Sequence, residues 1–219
     1  MHFTVQNLIN IEKKIKLNLE NLEVFNLPKI IAVSKTFKMD KILPLIDHGH
    51  VDFGENKIQE AVDKWAEIKS KNLNIKLHMI GKLQSNKVKF AVKLFDYIHS
   101  VDSEKLAKKI ADEQNKVNKR VKIFIQVNIG DEEQKSGVKK TVVNDLILYC
   151  KKINLDVVGL MCLPPADDNS SFYFNEMNLL NKSFGLSELS MGMSSDYLEA
   201  SKNSSTYLRI GSSIFGERI

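Results

Sequence analysis

A lysine stands at the end of what reads as a buried strand. In "KIIAVSKTFKMD", residues 29–40, the apolar Ile30, Ile31, Ala32 and Val33 lead through Ser34 into Lys35, and helix-like sequence follows. A lysine head is strongly hydrated and seldom buried without a partner, so its ordinary fate is to snorkel into water. Held in a pocket instead, the same amine forms a Schiff base with an aldehyde. Such chemistry needs an anchor for the rest of the carbonyl compound, and two later segments offer one. "LSMGMSSD", residues 189–196, carries Ser190, Gly192 and Ser194, and "RIGSSIFG", residues 209–216, carries Gly211, Ser212 and Ser213. Small residues let backbone N–H groups close on an anion, and a helix N-terminus adds its positive partial charge. A phosphate is the anion this suits.

Two chemistries fit a lysine opposite a phosphate cup. One is an aldol lysine acting on a sugar phosphate; the other is pyridoxal 5′-phosphate held as an aldimine. Arg209 bears on the choice. It lies two residues before Gly211 and on the same strand face. A guanidinium can only donate, which suits an unprotonated pyridine nitrogen. The competing role for Arg209 is a salt bridge to an acid at the same mouth.

These residues are far apart in the chain, so secondary structure has to gather them. Strand-like runs occupy 30–34, 51–54, 77–81, 97–101, 121–128, 155–162, 188–191 and 207–211. Apolar residues at three- and four-residue intervals predict helices over 56–70, 103–118, 138–152 and 171–184, with a less regular one over 82–95. Strands alternating with helices imply parallel pairing, and eight such units make an α/β (β/α)8 TIM barrel spanning 1–219 as a single domain. A six-stranded doubly wound sheet is the alternative and requires dropping two of the strands. Residues 1–25 read as an added helix with Leu8, Ile11, Ile15, Leu19 and Leu22 on one face. In a parallel barrel every strand's carboxyl end emerges on one face, which carries the chemistry. Lys35, Gly54-Glu55-Asn56, the loops 81–87 and 129–137, and both small-residue turns fall there.

Composition narrows the classes. An apolar fraction of 43% fills a soluble core. No apolar run reaches the roughly 18 residues of a membrane helix, and the first residues do not read as a signal peptide. Cys150 and Cys162 have no metal spacing, so a reducing cytoplasm is the expected home. The net charge of +5 raises nucleic acid as a partner, but 29 of the 32 basic residues are lysine. Base and phosphate recognition leans on arginine forks, so the expectation is a solvated lysine surface without specific nucleic-acid binding.

"AVSKT", "FGEN", "HMIGKLQSNK", "VNIGDEEQKSG", "GLM", "LSMGMSSD" and "RIGSSIFGER" together resemble the pyridoxal phosphate homeostasis protein family, in order, over residues 30–218. The resemblance implies a fold-type III pyridoxal-phosphate barrel like the N-terminal domain of bacterial alanine racemase. It implies a covalent aldimine on Lys35, phosphate contacts from Ser190, Ser194, Gly211 and Ser212, and an Arg209 that addresses the pyridine nitrogen. Asn56, His78 and Met161 fall in motifs that line the family's cofactor pocket. A core histidine and a core methionine are the competing roles for the last two. The chain departs from the pattern at Lys82, where proline is usual, and at "NSST", residues 203–206; neither is expected to touch the ligand.

Chemistry separates an enzyme from a holder. Carbanion formation is helped by a protonated ring nitrogen, and an arginine partner weakens that electron sink. Racemisation needs a base on each face of the α-carbon, and in fold-type III racemases the second comes from a partner subunit's β domain, for which this chain is too short. The expectation is a monomeric, non-catalytic protein that reversibly holds pyridoxal phosphate, with pyridoxal-phosphate-dependent apo-enzymes as the implied recipients. A racemase-like enzyme is the alternative.

Overall fold

Each apolar run forms a strand because its β-branched and aromatic residues can be buried on both faces, as a covered parallel sheet requires. The computed structural model describes residues 1–20, 22, 27–71, 74–165 and 169–217. The strands are β1 (Lys29–Val33), β2 (Asp52–Glu55), β3 (Lys76–Met79), β4 (Tyr97–Val101), β5 (Lys122–Val127), β6 (Asp156–Cys162), β7 (Glu188–Ser190) and β8 (Tyr207–Ile210). They close in sequence order into one parallel barrel, with β1 pairing β8 from Lys29↔Tyr207 to Ala32↔Ile210. The eight-stranded expectation holds, and the doubly wound alternative falls with the closure.

Helices fill the crossovers: α2 (Met39–Asp47), α3 (Ile58–Lys71), α4 (Val88–Leu94), α5 (Glu104–Val117), α6 (Val143–Lys152), α7 (Ser170–Ser183) and α8 (Tyr197–Lys202), and the short α9 (Ser212–Phe215) follows β8. Ser103 caps α5 by accepting from the Leu106 N–H, as the residue type favours. The stretch 82–95 divides into a 3₁₀ turn over Ser85–Lys87 and the short α4.

The added helix is α1 (Phe3–Leu19), with Val5, Leu8, Ile11, Ile15 and Leu19 buried on one face. It braces the closing end of the barrel: Asn7 Nδ2 donates to the Ile214 carbonyl of α9 and Asn18 Nδ2 to the Leu198 carbonyl of α8. Leu22, expected on the buried face, lies past the helix end and is exposed. The rest of the expected helix, at 21 and 23–25, lies outside the described residues.

Register sorts the barrel interior into layers, because alternate side chains point inward. Ile31, Phe124, Met161 and Tyr207 form an inner apolar cluster, separate from the larger one between strands and helices. Among the described residues no helix is long and apolar enough to cross a membrane.

Candidate functional site

The strands' carboxyl ends open into a cavity of about 830 Å³. Six residues singled out in the sequence line it: Lys35, Asn56, Ser194, Arg209, Gly211 and Ser212. They arrive from β1, β2, the β7–α8 turn, β8 and the turn that follows it, so barrel closure alone makes them neighbours.

Lys35 is placed through the residues on either side of it. Ser34 N–H donates to the Gly54 carbonyl, and Ser34 Oγ lies 2.7 Å from Glu55 Oε1. Lys64 Nζ donates to the Ser34 carbonyl at 2.8 Å, to Glu55 Oε1 at 2.9 Å and to Glu60 Oε1 at 3.0 Å. Trp65 Nε1 also donates to Glu55 Oε1, and the Thr36 N–H donates to Glu60 Oε1. Glu55 is fully buried, and three donors converge on its Oε1 while Oε2 has no partner among the described residues. Thr36 takes φ 70°, a left-handed conformation a β-branched residue rarely adopts. The Thr36–Glu60 bond offsets that strain and turns the chain sharply after Lys35.

After the neighbouring strand β8 two amides converge. Gly211 N–H and Ser213 N–H both donate to Ser194 Oγ at 3.3 Å, so an oxygen already sits where an anion's oxygen would be received. Gly192, in the turn before, has φ +88°, and a Cβ there would lie 2.5 Å from the Ala200 Cβ. Arg209 is buried, with Nη1 donating to Ser190 Oγ (2.7 Å) and Nη2 to the Cys162 carbonyl (2.8 Å). The salt bridge weighed for Arg209 is absent among the described residues. Burial lowers its pKa, yet a guanidinium stays cationic in proteins.

Asn56 Oδ1 is buried and lacks a hydrogen-bond partner among the described residues. A backbone approach fixes Asn56, since a Cβ on Gly81 would lie 2.3 Å from the Asn56 carbonyl oxygen. An unpartnered acceptor facing a cavity is expensive unless a ligand or water donates to it.

The other three expected residues do not line the cavity. His78, Met161 and Ser190 lie one layer below it, inside the barrel. Met161 packs in the inner apolar cluster. His78 stacks on Tyr97 with ring centroids 4.4 Å apart, and both of its nitrogens are engaged, by Asp52 and His99. Ser190 is occupied by Arg209 and His99 rather than facing the amide turn. Strand stagger explains all three: alternation decides which side chains point into the barrel, and the stagger of the strands puts these below the level of Arg209. Burial lowers the pKa of His78 and lowers that of His99 further, and pushes the Cys162 thiol up to about 12.

Lining residues that the sequence did not propose as ligand contacts come from the turn after β3, from β5 and from the loop after β5. Lys82, expected to stand clear of any ligand, is on the wall, as are Gln126, Gln134, Lys135 and Ser136. The 129–137 excursion is closed at its base by Val138 N–H donating to the Gln126 carbonyl and Asn128 N–H to the Val138 carbonyl. Its position after the fifth strand was the one available signal.

Residues 12–219 match the family model described as "Alanine racemase, N-terminal domain". The chain is 35% identical to a "Pyridoxal phosphate homeostasis protein" of Pasteurella multocida over 201 residues, 87% of this chain and 86% of the relative. A protein of the same name from Aquifex aeolicus is 36% identical, covering 88% of each chain. Among solved structures, PipY of Synechococcus elongatus with pyridoxal phosphate bound superposes with TM-score 0.81 at 30% identity, over 92% of this chain and all of that one. An alanine racemase of Clostridium difficile shares the fold at TM-score 0.69 and 15% identity, over 98% of this chain and 56% of the racemase. Sequence and barrel closure thus agree, and the chain belongs to the alanine racemase N-terminal-domain family, among its pyridoxal phosphate homeostasis proteins.

Proposed function

We propose that this cavity binds pyridoxal 5′-phosphate reversibly through Lys35, and that the protein stores or hands on the cofactor instead of using it in catalysis. One observation carries the reading: Lys35, Arg209, Gly211 and Ser212 line the same cavity as Ser194, on whose hydroxyl the Gly211 and Ser213 amides converge. The cofactor supplies an aldehyde that condenses reversibly with a primary amine. Lys35 offers that amine, held at the strand end by the Glu55–Lys64 cluster. The amides of Gly211 and Ser213, with the hydroxyls of Ser194 and Ser212, receive the phosphate. Arg209 donates to the ring nitrogen and keeps it an acceptor, because its own proton is not given up. Asn56 Oδ1 takes a donor from the ligand or a water.

The non-catalytic part of the reading rests on charge. Among the described residues, the ionisable side chains lining the cavity are Lys35, Lys82, Lys135 and Arg209, all cationic. A carboxylate at the ring nitrogen is the usual means of strengthening the electron sink. The recipients of a released cofactor are apo-enzymes that depend on it.

The test is a visible spectrum of protein incubated with the cofactor, before and after borohydride, followed by peptide mapping. The expected result is a violet-blue absorbance band, trapped by reduction as an adduct on Lys35 and lost in Lys35→Ala. An adduct mapping to another lysine overturns the reading. Catalytic α-deuteration of amino acids by the loaded protein overturns its non-catalytic part.

A further inference from the structure

Beneath the cavity a line of buried polar side chains crosses the barrel interior. Arg209 Nη1 donates to Ser190 Oγ at 2.7 Å, and Ser190 Oγ lies 2.9 Å from His99 Nδ1. His99 Nε2 is 3.0 Å from His78 Nδ1, and His78 Nε2 is 2.9 Å from Asp52 Oδ1. The five residues come from five strands. Ser190, His99 and His78 are fully buried, and Asp52, at the amino-terminal end of β2, retains 14% side-chain exposure. Phe124 stacks on His99 and Tyr97 on His78, which closes the line off from water.

The two ends dictate its direction. A guanidinium only donates, so Ser190 Oγ accepts from Arg209. The serine hydrogen then has one buried partner, His99 Nδ1, and leaving it unpaired costs about 1–3 kcal/mol. With Nδ1 accepting, His99 carries its hydrogen on Nε2 and donates to His78 Nδ1. His78 in turn carries its hydrogen on Nε2 and donates to the Asp52 carboxylate. Every group is satisfied with both imidazoles neutral. Burial, which lowers the pKa of both rings, favours the same state.

We propose that Asp52, His78, His99 and Ser190 form a one-way hydrogen-bonded relay that positions Arg209 and links it to a carboxylate on the barrel floor. Each bond in such a chain polarises the next, so Ser190 Oγ becomes a stronger acceptor for a buried cation that has no ion pair of its own among the described residues. The relay's existence is independent of the ligand. Its consequence, a tuned contact from Arg209 to the cofactor ring nitrogen, rests on the function proposed above.

The experiment therefore has two arms. In cofactor-free, ¹⁵N-labelled protein at neutral pH, imidazole spectra are expected to show His78 and His99 neutral and protonated on Nε2. Either ring protonated on Nδ1, or charged, overturns the relay. Ser190→Ala keeps the core volume and is expected to release His99 from its single tautomer; an unchanged His99 signal overturns the assigned polarity. In the second arm the protein is loaded with pyridoxal phosphate. His99→Leu is expected to speed cofactor release about tenfold, the lower end of what losing such supporting bonds costs, and to move the absorbance band. His99→Gln, whose amide can accept and donate in the same order, is expected to restore both. Rates and bands equal to wild type in His99→Leu overturn the positioning role. Should wild-type protein take up no cofactor, the functional reading fails, while the tautomers still decide the relay.

Discussion

The backbone around Lys35 is held by residues that do not line the cavity. Ser34 and Thr36 are tied to Glu55, Glu60 and Lys64, so the lysine's backbone is pinned on both sides. Glu55 is the centre of this clamp and is fully buried. Lys64→Met leaves its carboxylate without a cation and is expected to cost about 3–5 kcal/mol, the usual penalty for breaking a buried pair from one side. Glu55→Gln is milder, because Lys64 keeps Glu60 at 3.0 Å and the amide oxygen can still accept. Urea unfolding of the two variants checks the order, and equal losses contradict it. At the same scale, Ser194→Ala removes the oxygen on which the Gly211 and Ser213 amides converge. It is expected to leave stability within about 0.5 kcal/mol while weakening phosphate retention, since Ser194 is at the cavity wall rather than in the core.

Elements set the shape of the mouth. The turn after β3 closes against the residue after β2 only because Gly81 has no side chain: a Cβ there meets the Asn56 carbonyl oxygen at 2.3 Å. Gly81→Ala must displace backbone on one side or the other. It is expected to cost about 1–3 kcal/mol by overpacking and to weaken cofactor retention as Asn56 shifts; titration with pyridoxal phosphate alongside a thermal melt measures both. The elements themselves were largely legible, as β4 at 97–101 and α5 within 103–118 show. Ends were less so: Ser34, Gly81 and Gly211 read as strand but belong to the loops beyond β1, β3 and β8. Periodicity marks where a pattern persists, whereas a strand ends where its partner's hydrogen bonds stop, which a single run of residues does not encode.

At the scale of the molecule, burial of imidazoles makes the fold sensitive to mild acid. His50, His78 and His99 all have pKa values lowered by burial from the ordinary 6.5. Below that value the unfolded chain binds protons that the folded one does not, so stability falls as pH falls. Each histidine adds a slope of at most about 1.4 kcal/mol per pH unit in that window. Exposed carboxylates with lowered pKa, such as Glu67 beside Lys71, lose their contribution only near and below the ordinary 4.5. The expected outcome is therefore a falling urea midpoint between pH 6.5 and 4.5. His99→Gln is expected to flatten this fall by removing one of the three protons; a midpoint level across the window contradicts the neutral buried rings.

Residue order alone yields the eight strands with helices between them, the lysine at the end of the first strand, the small-residue turns at the last two, and the family resemblance. All of these are local: they depend on residue type and on spacings of two to four positions. What surrounds the site was decided by the tertiary structure. Ser190 reads as part of an anion turn, yet its hydroxyl is engaged by Arg209 and by His99, 91 positions away. His78 and Met161 sit in pocket motifs and are held in the layer beneath, while Lys82 and the 129–137 loop form wall. Which side chains share a layer follows from the stagger of eight strands around a closed barrel. That stagger is a property of the whole ring of pairings, so no single segment of the chain contains it.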